Sequence, residues 1–169
     1  YAVNSNARVT IEYHAAYRKT VENLNGKVMS YGYNIEGRRL NKTYPGGRSV
    51  TENFDLRNNQ QSINSGIDVT YTYDAAERVV SRGYSNGVIA NYSYDDESRM
   101  TSVSHVKLPT VIAQFEYTFD AEGNRLTAKS INIPAGSEKY SYSADYKLTN
   151  FKRGVLVGNE IPSPTTQTQ

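Results

Sequence analysis

Apolar and polar residues alternate one by one through several stretches of this chain. Ile67, Val69, Tyr71 and Tyr73 fall on one side of a period of two, with Asp68, Thr70 and Thr72 on the other. Ala7, Val9, Ile11 and Tyr13 oppose Arg8, Thr10 and Glu12 in the same way. Val111, Ala113, Phe115, Tyr117 and Phe119 oppose Ile112, Gln114, Glu116 and Thr118. Successive side chains of a strand point to opposite faces, so each stretch predicts a β-strand. Turn chemistry follows each strand. Its fullest form, Asp-x-x-Gly, suits a type I turn: the Asp carboxylate caps nearby backbone N–H groups and Gly accepts the last position. A second class of turn separates the units at Asn25-Gly26, Gly46-Gly47, Ser65-Gly66 and Asn86-Gly87, dipeptides that suit a two-residue hairpin loop. Longer loops are expected around Pro109 and around Pro134-Ala135-Gly136. Strands joined by two kinds of turn predict an all-β chain, an antiparallel meander of repeated β-hairpins with about fourteen strands. The strands after the turns (78–84, 99–106 and 125–133) are less cleanly patterned, and their buried face is left open.

The strand–turn unit recurs. Its best copies are Tyr71-Thr72-Tyr73-Asp74-Ala75-Ala76-Glu77-Arg78-Val79 and Tyr92-Ser93-Tyr94-Asp95-Asp96-Glu97-Ser98-Arg99-Met100. Tyr117 to Leu126 and Tyr31 to Leu40 each read as carrying one extra residue before the Arg. Weaker copies start at Ile11, Glu52 and Tyr140, and the second aromatic of the seven units falls at 13, 33, 54, 73, 94, 119 and 142. Twelve of the 19 aromatics occupy the two aromatic slots, so the ring spacing is a design feature of the chain. A lone hairpin is marginal in water. The repeat is therefore expected to fold only as an array, with the aromatic pair of each unit stacked on the next.

Composition narrows the function classes. Nineteen basic and 17 acidic residues leave a net charge of +2, and no Lys/Arg cluster points to nucleic acid or an anionic membrane. With 0 Cys there are no disulfides, thiolate metal sites or cysteine nucleophiles. No apolar run is long enough to span a bilayer. The N-terminus has no signal-peptide pattern and does not begin with Met, so a processed product or an excised fragment is expected.

No side chains stand out as catalytic, cofactor-binding or metal-binding, and no cofactor is expected. Asp55, Asp74, Asp95 and Asp120 occupy one slot of one turn and read as caps rather than acid/base groups. Asp95-Asp96-Glu97 lacks the spacing of a calcium loop. His14 and His105 lie in different repeats and do not suggest a shared metal. Arg18, Arg38, Arg78, Arg99, Arg125 and Lys147 form a row after the turns, read as stacking on Tyr rings or pairing with turn carboxylates in preference to an anion-binding stripe. Asn41-Lys42-Thr43 and Asn91-Tyr92-Ser93 match the glycosylation sequon and are read as incidental.

Tyr-x-Tyr-Asp-x-x-Gly-Arg-Leu at intervals of about 20 residues resembles the YD repeat, also called the Rhs repeat. Tyr71 to Val79, Tyr92 to Met100 and Tyr117 to Leu126 match best, and the resemblance runs from Ala7 to Val157. It implies a curved, spiralling strip of sheet forming a hollow shell. In bacterial Rhs and toxin-complex proteins such a shell encloses a toxic domain; in teneurins a similar shell supports adhesion. YD-repeat proteins of bacterial surfaces have also been proposed to bind carbohydrate. The departures are His14 and Ser143 for Asp, Tyr17 and Tyr146 for Gly, and Asn59 for Arg; a Tyr where φ > 0 is wanted would be strained. The family's self-cleaving plug and its C-terminal effector are not seen in this sequence.

Residues 1–158 are thus expected to be a repeat array, and 159–169 a polar tail or the start of a further repeat, with Ile161 to Gln169 read as loop or disorder. The leading expectation is a non-catalytic shell segment, secreted or at the cell surface, that encloses or displays an effector domain. The alternative is an adhesion or carbohydrate-binding module. A self-assembling extracellular filament subunit, or a hydrolase using turn carboxylates, ranks behind both. Expected partners are the rest of a longer Rhs-type chain or identical subunits at open sheet edges, with an effector cargo or a glycan beyond them, no nucleic acid and no transmembrane segment.

Overall fold

The computed structural model describes residues 8–168, and the chain divides into two units, 1–71 and 72–169. In the first unit the strands β1 (Val9–Tyr13), β2 (Lys19–Leu24), β3 (Lys27–Tyr33), β4 (Arg39–Thr43), β5 (Ser49–Phe54), β6 (Gln60–Asn64) and β7 (Val69–Tyr73), the last cut by the boundary, follow one another. Each pairs antiparallel with the next. The second unit continues the pattern through β8 (Val79–Tyr84), β9 (Ile89–Tyr94), β10 (Met100–Lys107), β11 (Thr110–Phe119), β12 (Arg125–Ser130), β13 (Ser137–Tyr142), β14 (Leu148–Gly154) and β15 (Thr166–Thr168). Here too sequence neighbours are sheet neighbours. The only helical element among the described residues is a 3-10 turn at Pro134–Gly136. The expected all-β meander is observed.

The period of two survives as burial in β7, where Val69, Tyr71 and Tyr73 are half-covered and Thr70 and Thr72 exposed. It is not expressed as burial in β1, whose five residues are all exposed. Ala7, assigned to the same face, lies outside the described residues. The reason for such light burial is that each unit is a single layer of sheet. Among the described residues only Ala90, Ala128 and Ile161 are buried hydrophobics. Cohesion must come from ladder hydrogen bonds and from contacts along the sheet, because no second layer provides a core.

Four loop expectations are corrected. Asn25-Gly26 is a two-residue loop, closed by the Leu24–Lys27 pair with φ of 51° and 81°. Asn86-Gly87 is not. There Tyr84 N donates to Val88 O and Gly87 N to Tyr84 O, a longer loop in which Gly87 alone of the pair takes positive φ. Gly46-Gly47 sits in a loop of the same length between Tyr44 and Arg48, and Ser65-Gly66 lies in a longer loop between the paired residues Ile63 and Val69. Conversely the Pro109 loop is short. Lys107 pairs with Thr110, leaving only Leu108 and Pro109, joined by a cis peptide bond.

Of the C-terminal segment read as loop or disorder, 161–165 is a loop and Thr166–Thr168 is a strand. Val157 and Glu160 bridge across Gly158-Asn159, Ile161 is 1% exposed against Gly154, and β15 pairs with β14. One apolar residue in a polar run carries little pattern, yet its burial anchors the segment.

Candidate functional site

The recurring feature with chemical character is the turn that ends each odd-numbered strand through β7, then β9, β11 and β13. All seven turns close identically. The first turn residue donates its N–H to the carbonyl of the residue four on and accepts from the N–H three on, from His14/Tyr17/Arg18 through Ser143/Tyr146/Lys147. The extra residue expected in the copies at 31–40 and 117–126 does not exist. Arg38 and Asn124 occupy the same turn position as Arg78, with Arg39 and Arg125 beginning the next strand. The register slips at six of these strand ends, for example between Thr118 and Phe119 and between Ser141 and Tyr142. A type I turn followed by one left-handed residue makes such a bulge.

That left-handed position holds Tyr17, Gly37, Asn58, Glu77, Ser98, Gly123 and Tyr146, at φ from 58° to 92°. The strain expected at Tyr17 and Tyr146 is present. It extends to Glu77 and Ser98, in the copies that looked best from the sequence. The turn tolerates it because its first residue is tied down. Asp74 Oδ1 accepts from the N–H groups of Ala76 and Arg78, both at 2.9 Å, and its Oδ2 accepts from Arg78 Nε at 2.7 Å. Asp95 and Arg99 repeat this pairing, and Asp120 holds Asn124 through both backbone and side-chain amide. His14 Nδ1 accepts from Ala16 N at 3.2 Å, so this histidine stands in for the cap.

The carboxyl of Asp74 lies below its ordinary value, first through the Arg78 backbone N–H and then through its guanidinium. Partial burial pushes Asp95 up, but the Arg99 guanidinium and backbone N–H together outweigh it and hold it low. The Asn124 side-chain amide is the main cause for Asp120. Carboxylates held ionised this way are poor proton donors, and their oxygens are occupied. Among the described residues no three His, Cys, Asp or Glu side chains are grouped to hold a metal. His105 sits in β10 opposite Ala90 and Ala113, away from any such group.

The arginines link one repeat to the next. Arg78 lies over the Tyr94 ring, 4.8 Å from its centroid, and its Nη1 donates to Asp95 O at 2.9 Å. Arg99 repeats this one hairpin later, over Phe119 at 5.2 Å and to Asp120 O at 2.8 Å. In the first unit Arg38 lies over Phe54 at 4.2 Å and reaches Asn58 O at 2.8 Å. Tyrosines reach back the other way. Tyr33, Tyr94 and Tyr142 donate their hydroxyls to the carbonyls of Lys19, Val79 and Arg125 at the start of the preceding return strand. Equivalent rings are two strands apart, about 9.6 Å at 4.8 Å per strand, too far for direct stacking. Arg38, Arg78 and Arg99 each lie over the second ring of the following repeat, so the expected ring-on-ring ladder is corrected to arginine-on-ring contacts between repeats. A direct ring pair, Tyr140–Phe151 at 5.6 Å, joins adjacent strands instead. Fixed Arg and Tyr slots in a repeat were the signal for this contact.

A profile of the teneurin YD-shell family matches residues 1–160, nearly the whole chain. The chain belongs to the teneurin YD-shell family. No curated protein sequence matches this YD-shell segment. Solved structures do. TcdB2-TccC3-TEV is 16% identical with a TM-score of 0.72, covering 86% of this chain and 9% of that one. TcdB2-TccC3 without its hypervariable C-terminal region is 15% identical at a TM-score of 0.72, covering 84% and 9%. The Tc holotoxin pore of Photorhabdus luminescens is 18% identical at 0.66, covering 75% and 7%. At these identities the likeness is one of fold, and this YD-shell segment spans less than a tenth of the length of those chains.

Proposed function

We propose that this chain is a non-catalytic segment of a β-shell wall in a longer polypeptide, whose role is to enclose or display an effector domain. The turn-to-turn clamp carries this reading. The turn acids are used up in closing their own turns and the arginines in joining one hairpin to the next, which is what a wall needs and leaves no free acid/base pair for catalysis in these turns. Membership of the YD-shell family supports the wall, and its small share of the matched chains supports a longer parent. A secreted or cell-surface setting is part of the proposal. Among the described residues no helix is long and apolar enough to cross a membrane.

The test uses the native full-length polypeptide. Limited proteolysis is expected to spare the enclosed domain in the wild type and to cut it once Arg78 and Arg99 are both replaced by Ala. Equal cleavage in the two proteins would remove the enclosure reading, and a hydrolytic activity abolished by Asp74→Asn without unfolding would overturn the non-catalytic one.

A further inference from the structure

Two of the seven turns, ending at Asn59 and Asn124, carry an asparagine that bonds back to its own turn where the others carry a basic residue, and beside Asn124 the groove that would receive an arginine is built. Between the turns at 74–78 and 95–99, and again between 95–99 and 120–124, an arginine at the last turn position crosses to the next turn. Between the turns at 120–124 and 143–147 that position is Asn124, which turns back to bond Asp120 at 2.8 Å. The next basic residue, Arg125, is engaged elsewhere. Its Nη2 donates to Tyr140 Oη at 2.9 Å and its guanidinium lies over the rings of Tyr117 and Tyr140. A cavity of about 510 Å³ remains, lined among others by Asp120, Glu122, Asn124, Tyr142, Ser143 and Tyr146. The matching groove between the turns at 14–18 and 34–38 keeps about 410 Å³ with Arg18 on its lining, that guanidinium resting against Gly37.

We propose that the groove between the turns at 120–124 and 143–147 binds an arginine side chain supplied by a partner peptide. The internal arginines define what such a ligand needs. Arg38, Arg78 and Arg99 each lie over the second aromatic of the following repeat, and Arg78 and Arg99 donate to the carbonyl of its first turn residue. Tyr142 and Ser143 are those two residues here. The rim adds the carboxylate of Glu122, which suits a cation. The groove's own cation, Lys139, is neutralised by an ion pair with Glu160. A guanidinium is favoured over an ammonium because a planar fork can stack on a ring and reach a carbonyl at once.

The probe is an acetylated, amidated Ala-Arg-Ala peptide, titrated into the full chain with NMR detection at Tyr142 and Ser143 and compared with its Lys and citrulline counterparts. The arginine peptide is expected to bind about tenfold more tightly than the citrulline one, with the Lys peptide between them. Free arginine amide binding as tightly as the peptide would move the assignment from a peptide partner to a small guanidinium, against the proposal. Asn124→Arg should fill the groove from within, abolish peptide binding and raise the thermal midpoint. Glu122→Gln, which alters an exposed side chain and keeps the backbone N–H that bonds Asp120, should weaken binding severalfold without changing that midpoint. Undiminished binding to the Asn124→Arg chain, or equal binding of the arginine and citrulline peptides, would overturn the proposal.

Discussion

A residue with positive φ is cheap when it is glycine and costs roughly 1 kcal/mol otherwise, so the seven turns make a natural experiment in strain. Tyr17 and Tyr146 carry that cost with their side chains largely in solvent, at 91% and 61% exposure, and no packing return is evident. Replacing either with Gly should raise stability by about 0.5–1 kcal/mol, read as a higher denaturant midpoint at unchanged slope. At Gly37 the sign reverses. Its φ is +92° and the Arg18 guanidinium occupies the place of a Cβ. Gly37→Ala should therefore destabilise by about 2 kcal/mol, and an unchanged midpoint would show that Arg18 simply moves aside. The sequence made Tyr17 and Tyr146 visible because they break the consensus. It hid Glu77 and Ser98, since a strong match elsewhere in those copies drew attention from their fourth position.

The hairpin is held by two devices that respond differently to perturbation. The first is the turn carboxylate. Asp74, Asp95 and Asp120 have folded-state values below their unfolded ones, so the stability they contribute is complete above the unfolded carboxylate value near 4 and is lost as pH falls through the folded values. Asp95→Asn should accordingly lower the denaturant midpoint at pH 7, with the gap to wild type closing below about pH 4. A gap that stays constant with pH would mean the carboxylate's charge is irrelevant and only its capping oxygen matters, as with the natural Asn34 cap on Arg38 N. The second device is the arginine over the next repeat's ring. A double-mutant cycle on Arg78→Ala and Tyr94→Leu should return a coupling of about 1 kcal/mol, and no coupling would mean the ring is only a neighbour. The repeat, its strands and its caps were legible from a period of two and a fixed turn slot. The arginine's place on a ring was legible from its fixed slot, but its bond to the next turn was not, because it joins residues 17 to 21 apart through a carbonyl oxygen, a partner that every residue has and no letter of the sequence marks.

Each unit is a layer one sheet thick, so stability passes from strand to neighbouring strand and a local defect should stay local. The C-terminal segment is the sharpest place to see this. A polar stretch of Pro, Thr and Gln gave no strand signal, and the structure orders it through one buried side chain, Ile161, seated against Gly154 and beside Ser163 and Pro164. Thr165 N then donates to Arg153 O at 2.7 Å, and β15 adds to β14. Ile161→Ala removes most of that apolar contact and should cost about 3 kcal/mol locally. If stability is distributed as in a one-dimensional array, hydrogen exchange will accelerate in β14 and β13 while the amides of β9 and β10 keep their protection. Uniform loss across β9 to β14 would instead make these strands one cooperative block, and the clamps between turns would then be its fasteners rather than links between separable hairpins.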